Sequence, residues 1–315
     1  MQEIRDAIWF EKYRCPSVER MILPSAYASF FGQIVRGERT LPNLFLYSRK
    51  PGSGKTTIAK AICSDIDAEM LYINVSQDSG KDTLNEQIDG FAITKAIGNR
   101  LKVVLMDEVD GASPQLQKAL RAAIEKYASN CRFILTANYE QKVIEPLRSR
   151  CEQFDFSFTN PEHRGEMVPK LTKFFTRVLV REEVEHDPAV VGEFVERMFP
   201  DTRRVYQTLQ RYHAMYGKID KTILKVEFNY APLWECIMGG NYKQFRILMN
   251  EMSIDPTTLY RPMFDELVPQ LNEGARAQAI IILDDYMDRA TRSLDQEITI
   301  SACVLNLISV HMENK

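Results

Sequence analysis

Leu44-Phe45-Leu46-Tyr47-Ser48-Arg49-Lys50-Pro51-Gly52-Ser53-Gly54-Lys55-Thr56-Thr57 is an apolar run that breaks into a glycine-bearing turn and then opens a helical pattern over 55–66. Glycine at 52 and 54 lets consecutive backbone N–H groups curl around an anion where a Cβ would collide. The helix start adds favourable partial positive charge at the same place. Lys55 is positioned to reach the outer phosphates of a nucleotide, and the Thr56 hydroxyl to bind magnesium. Pro51, Gly52, Ser53, Gly54 and Thr57 complete the expected nucleotide-binding stretch. The full phosphate-loop pattern starts with glycine, where this chain has Arg49. A solvated glycine turn is the bland alternative, and the flanking strand and helix argue against it.

Outward from that loop, apolar runs at 44–48, 70–75, 103–106, 133–136 and 153–156 alternate with helical stretches such as 55–66 and 114–127. Strands alternating with helices imply an α/β fold with a parallel sheet covered on both faces. The third run ends in Asp107-Glu108-Val109-Asp110. Ligands of open parallel sheets bind at the carboxyl ends of strands, so Asp107 is expected beside the phosphates, where it can hold magnesium. Glu108 is then placed to polarise an attacking water. Two adjacent acids point to hydrolysis rather than nucleotide storage. The next run ends in Thr136-Ala137-Asn138, which puts an amide within reach of a γ-phosphate or the lytic water, although an Asn capping a turn is the commoner case. Leu147-Arg148-Ser149-Arg150-Cys151 precedes the last strand, and an arginine there is expected at a domain edge, away from its own loop. Exposed arginines are usually only solvated. A neighbour's arginine offered to a γ-phosphate is also a device for stabilising phosphoryl transfer.

After residue 157 the strand signal fades. Helical stretches are expected from Pro161, from Asp187-Pro188 toward 199, and over 203–216 behind the Pro200-Asp201-Thr202 cap. Helical periodicity continues beyond 230, with Ile281, Leu283, Tyr286, Val304, Leu307, Ile308 and His311 recurring. The expected domains are 1–156, 157–226 and 227–315. The 315 residues carry a net charge of −3, which is unlike a chain whose main task is coating nucleic acid. DNA contact would have to come from local basic patches. Six cysteines without a Cys-x-x-Cys pair argue against zinc or a disulfide framework. No apolar run is long enough to span a membrane, and a cytoplasmic location is expected.

In this order the motifs resemble those of AAA+ ATPases, and among them the clamp-loader branch, whose signature is Ser149-Arg150-Cys151. The resemblance covers residues 9 to about 215 with specific motifs, and only helical character and length fit beyond. It implies an arginine finger at Arg150 acting in trans and a sensor 1 at Asn138. Pro200-Asp201-Thr202-Arg203-Arg204 is similar to the sensor 2 segment, with Arg203 as the phosphate-sensing arginine and Arg204 as the fallback. Glu11-Lys12-Tyr13-Arg14 resembles the box that borders the adenine, with Cys15 where proline is expected. The zinc module of bacterial motor subunits is missing, and the bacteriophage members fit best. What the resemblance implies is an ATP- and Mg2+-dependent motor in an open spiral of four copies and a non-identical small subunit. Such a spiral is held by a C-terminal helical collar below a helical lid, and it grips a ring-shaped sliding clamp and admits primer–template DNA.

Phosphate contacts would hold that DNA, with Lys81, Lys95 and Arg100 as candidates, each more commonly just a solvated charge. Gln117 and Arg121 share a helix face. Another AAA+ DNA motor, a helicase loader or branch-migration ATPase, is the alternative. A non-hydrolysing brace is a third possibility, and such proteins tend to lose the lysine or the glutamate, both kept here as Lys55 and Glu108.

Overall fold

The structure is a computed structural model that describes residues 7–75, 81–94, 98, 100–224, 230–252, 254, 256–293 and 295–314, without the side chains of 81–85. It divides into two compact units, Met1–Ile223 and Leu224–Lys315. The expected division at 156/157 falls inside the first unit, and the one at 226/227 lies outside the described residues.

In the first unit β1 (Leu44–Tyr47), β2 (Glu69–Asn74), β3 (Lys102–Asp107), β4 (Cys131–Ala137) and β5 (Glu152–Asp155) form one sheet in the order β2-β3-β4-β1-β5. All neighbouring pairs are parallel. Each expected apolar run is a strand, displaced by no more than two residues at its ends. β3 is buried along its whole length. Residues of both parities, Val103 and Leu105 as well as Val104 and Met106, are fully inaccessible. A strand points alternate side chains to opposite faces, so both faces must carry helices.

Short helices α1 (Trp9–Lys12) and α2 (Ser25–Val35) precede the sheet. Between the strands run α3 (Lys55–Asp65), α4 (Lys81–Ile93), α5 (Pro114–Lys126) and α6 (Glu145–Arg148). α3 buries Ile58, Ala59 and Ile62, which recur at helical spacing. α5 starts where Ser113 accepts from Leu116 N–H at 3.3 Å with proline following, and it buries Leu116, Leu120 and Ile124. At the opposite end of the sheet the buried Lys102 ammonium donates to the Phe91 carbonyl at 2.7 Å and to Thr94 Oγ1 at 2.6 Å, closing the end of α4.

Three further helices belong to this unit: α7 (Pro161–Arg181), α8 (Pro188–Met198) and α9 (Thr202–Tyr216). Asn160, Asp187 and Asp201 cap them, each accepting a backbone N–H at 2.9 Å. The strand signal does not end altogether after 157. Two-residue β6 (Glu185–His186) and β7 (Lys218–Ile219) pair in parallel, too short to leave a periodic trace in the sequence.

The second unit is helical, with α10 (Ala231–Met238), α11 (Tyr242–Glu251), helical turns between 256 and 270, α12 (Glu273–Arg292) and α13 (Gln296–Glu313). Its own core gathers Leu233, Phe245, Met263, Leu283, Ile300 and Val304. Trp234 buries its ring there and satisfies its N–H on Glu266 at 3.0 Å. No helix among the described residues is long and apolar enough to cross a membrane.

Candidate active site

The loop between β1 and α3 turns on two glycines with positive φ, Gly52 at 70° and Gly54 at 97°. Left-handed backbone of this kind favours glycine, and at Gly52 there is no room for more: a Cβ would lie 1.8 Å from Asp201 Oδ1. Lys55, in the first turn of α3, is 7 % exposed. Its ammonium donates to Asn138 Oδ1 at 3.0 Å. Burial pulls Lys55 down to about 8, although the Asp107 and Asp110 carboxylates pull the other way. Ser53 Oγ is buried without a hydrogen-bond partner.

β3 and β4 end side by side and deliver the acids and the amide. Asp107 Oδ1 accepts from Thr56 Oγ1 at 2.8 Å and from Thr136 Oγ1, and its Oδ2 accepts from the Tyr72 phenol at 3.0 Å. Glu108 leaves the strand in left-handed backbone, φ 60°, a conformation a non-glycine residue holds only where its surroundings impose it. Its N–H is anchored on Thr136 Oγ1 at 3.1 Å. Asp110 accepts the N–H groups of Asn138 and Tyr139, each at 3.2 Å. The ends of β3 and β4 are thus cross-tied by side chains from both.

α9 closes the pocket from the other side. Thr202 donates both its backbone N–H, at 3.1 Å, and its hydroxyl, at 2.8 Å, to the Gly52 carbonyl. Arg203 lines the pocket with Phe10, Pro51, Gly52, Ser53, Gly54, Lys55, Thr56, Thr57, Asp107, Glu108, Thr136, Asn138 and Thr202. The Arg203 guanidinium lies 5.0 Å from the Phe10 ring centre. Arg204, the fallback, is outside this lining, and its backbone N–H serves the Asp201 cap.

Next to the phosphate loop opens a cavity of about 630 Å³, bordered by Phe10, Lys12, Tyr13, Arg14, Leu171 and Tyr206 among others. Tyr13 and Tyr206 stack with ring centres 6.3 Å apart. Glu182, at the end of α7, accepts from the Tyr13 phenol and pairs with the Lys12 ammonium at 2.6 Å. Burial and then Glu182 push the Tyr13 phenol up to about 12. Glu11 borders neither cavity and pairs instead with Arg14 at 2.7 Å. In the four-residue α1 it faces Arg14, three residues on.

Arg150 is outside the pocket lining. Its guanidinium donates to Glu125 Oε1 at 2.6 Å and to the Pro146 carbonyl at 2.6 Å. Arg100 is exposed and pairs with Asp67 at 2.9 Å. Lys95 and the Lys81 side chain lie outside the described residues. Gln117 is buried rather than surface-facing, donating to the carbonyls of Ala112 and Lys142 at 3.1 and 3.0 Å and accepting from Ile144 N–H at 2.8 Å.

These groups fit a nucleotide with magnesium. The loop has a glycine where no Cβ fits, a buried ammonium and an orphaned buried hydroxyl, all suited to phosphate oxygens. Thr56 and Asp107 offer the hard oxygen donors that magnesium takes. The larger cavity has the size and the aromatic walls of a base site. Tyr72, Phe10 and Glu182 belong to no motif of the sequence. Only the strand register and the packing of α7 and α9 bring them here, and no local pattern encodes either.

A parallel sheet with this loop, an Asp-Glu strand end and a polar residue on the adjacent strand defines a P-loop ATPase. Residues 45–159 match the ATPase family associated with various cellular activities (AAA). The chain is 33 % identical over 276 residues to the sliding-clamp-loader large subunit of Escherichia phage RB69, covering 86 % of this chain and 85 % of that protein. It is 31 % identical to the subunit of the same name from Enterobacteria phage T4, covering 88 % and 86 %. The replication factor C small subunit of Staphylothermus marinus is 31 % identical over 80 % of this chain and 77 % of its own. Among solved structures, the RuvB Holliday junction branch migration motor of Thermotoga maritima matches with a TM-score of 0.56 at 15 % identity, covering 85 % of each chain, a likeness of fold alone. The chain belongs to the clamp-loader family of AAA ATPases, and its activity is ATP hydrolysis.

Proposed function

We propose that this chain is the motor subunit of a clamp loader: with ATP bound it grips and opens a ring-shaped sliding clamp, and primer–template DNA triggers hydrolysis and release of the clamp onto DNA. The assembly consists of four copies and a non-identical small subunit, working in the host-cell cytoplasm. Residues 1–156 form the ATPase domain, 157–226 the lid and 227–315 the collar. The observation that carries this reading is the split of catalytic groups. Lysine, threonine, aspartate and glutamate meet in one pocket, whereas Arg150 of the Ser-Arg-Cys segment is bonded outside it.

Thr56 and Asp107 would hold Mg2+, which would supply positive charge to offset that of the phosphates. The loop from Pro51 to Thr57 cradles the phosphates through backbone N–H groups. Lys55 binds the β- and γ-oxygens and is itself held by Asn138. Glu108 takes the proton from water as its oxygen attacks the γ-phosphorus and the bond to the β-phosphate oxygen breaks. Arg203 contacts the γ-phosphate from the lid of the same chain, and Arg150 reaches the nucleotide of the next subunit. Lys12, Tyr13 and Arg14 border the base. Lys81, Lys95 and Arg100 are the candidate contacts to DNA phosphates.

The test is steady-state ATPase activity of the assembled complex with clamp and primed DNA added singly and together. The expected result is a rise that needs both. Activity indifferent to both, or ATP-driven movement of a DNA junction without any clamp, would overturn the reading.

A further inference from the structure

Asp107 is bonded on both oxygens, and one of those bonds comes from outside every motif. Tyr72 lies on β2, the edge strand of the sheet, in register with Leu105. Its diagonal neighbour on β3, two residues further, is Asp107, within reach of an aromatic side chain. The phenol donates to Asp107 Oδ2 at 3.0 Å. The ring is held in turn by Lys60, one helical turn beyond Thr56 on α3, whose Nζ lies 4.1 Å from the ring centre. The Asn74 side chain bonds to the same phenol.

The terminal torsion of an aspartate is broad and nearly two-fold, so a carboxylate with one anchored oxygen still swings. Here Oδ1 faces the Thr56 and Thr136 hydroxyls. We propose that Tyr72 is a positioning residue for the metal-binding carboxylate: by engaging Oδ2 it fixes the rotation of Asp107 and presents Oδ1 toward Thr56. The inference rests on Thr56 and Asp107 being the magnesium ligands. Partners of ligating carboxylates commonly change metal affinity by about 10- to 100-fold when removed. A phenol two residues before the end of an edge strand carries no signal of that role in the sequence alone.

The experiment is a magnesium chloride titration of nucleotide binding, read with a fluorescent ATP analogue on the full chain. Parent, Tyr72→Phe and Asp107→Asn are compared, each also in EDTA and in a thermal melt. Tyr72→Phe keeps the ring and its contact with Lys60, and Tyr72 is 40 % exposed, so folding is preserved. The expected result for Tyr72→Phe is an increase of about tenfold in the half-saturating magnesium concentration, with nucleotide affinity in EDTA and the melting midpoint unchanged. Half-saturation within twofold of the parent, or an equal loss of affinity in EDTA, would overturn the proposal. Asp107→Asn separates the two layers. If it shifts the magnesium dependence and Tyr72→Phe does not, only the role of Tyr72 falls. If neither shifts it, the ligand assignment of Asp107 falls as well.

Discussion

The two arginine-bearing edges of the first unit are built in opposite ways. At the Arg203 edge, α9 is tied to the phosphate loop by two hydrogen bonds from Thr202 to the Gly52 carbonyl, and the arginine lines the pocket of its own chain. At the Arg150 edge the guanidinium is one-third exposed and rests on Glu125, itself half exposed, and on the Pro146 carbonyl. The first edge is fixed through the half-buried Thr202 and Gly52, so the backbone that carries Arg203 is tied down while its side chain is exposed. The second is held by a surface ion pair, the kind that contributes about 1 kcal/mol or less. Weak retention suits the proposed reach of Arg150 into a neighbour's pocket, and an anchored helix start suits the proposed service of Arg203 to its own.

The sharpest test of that contrast is Arg150→Ala. Hydrolysis should fall by roughly 10³ to 10⁵, with ATP binding unchanged, because the lost charge acts only on the transferring phosphoryl group. Mixing Arg150→Ala with Lys55→Ala subunits tells where the arginine works. Activity should return in mixed assemblies, where an intact arginine meets an intact loop across a boundary. Mixtures as dead as their parents would erase the distinction between the edges.

Glu108→Gln comes next. Single-turnover hydrolysis should drop by about 10² to 10⁴, the usual range for a lost general base, with nucleotide still bound. A variant that turns over normally would mean that the strained backbone at Glu108 serves something other than water activation.

Thr202→Val removes one of the two bonds at the anchored edge. Thermal unfolding should register a loss of about 1 kcal/mol, the net worth of one hydrogen bond, with weaker nucleotide binding alongside. No change in either would show that the backbone N–H alone secures Gly52.

The smallest effect belongs to Glu125→Ala. Stability of the isolated chain should shift by less than about 1 kcal/mol, and assembled ATPase activity should stay within a factor of a few. A large loss of stability would show that Arg150 is locked in place, contrary to the contrast drawn here.

How much of this was legible from residues alone differs by part. The five strands and the phosphate loop were: the central β3 is buried on both faces and reads as an unbroken apolar run, Val103-Val104-Leu105-Met106, while the partly exposed edge strands β2 and β5 show shorter apolar stretches between turns. Residues named by motif meet as expected where the motif itself sits on a strand end, as Asp107, Glu108 and Asn138 do. Glu11 pairs with Arg14, three residues on in the short α1, and lines neither cavity. Tyr72, the bond of Thr202 to the loop, and Glu182 were invisible for another reason. Each acts through a partner 20 or more residues distant, Asp107, Gly52 and Tyr13 respectively, and such pairings depend on register and helix packing. The β6–β7 pair was missed because two residues cannot show a period.

The two hydrogen bonds from Thr202 to a single carbonyl couple helix tilt to loop shape. A swing of α9 that stretches those bonds deforms the anion cradle, and a ligand that reshapes the cradle drags α9 with it. By thermodynamic reciprocity, mechanical load on the three-helix segment and occupancy of the loop alter one another by equal free energies. The helical segment and the anion cradle therefore meet at one peptide group.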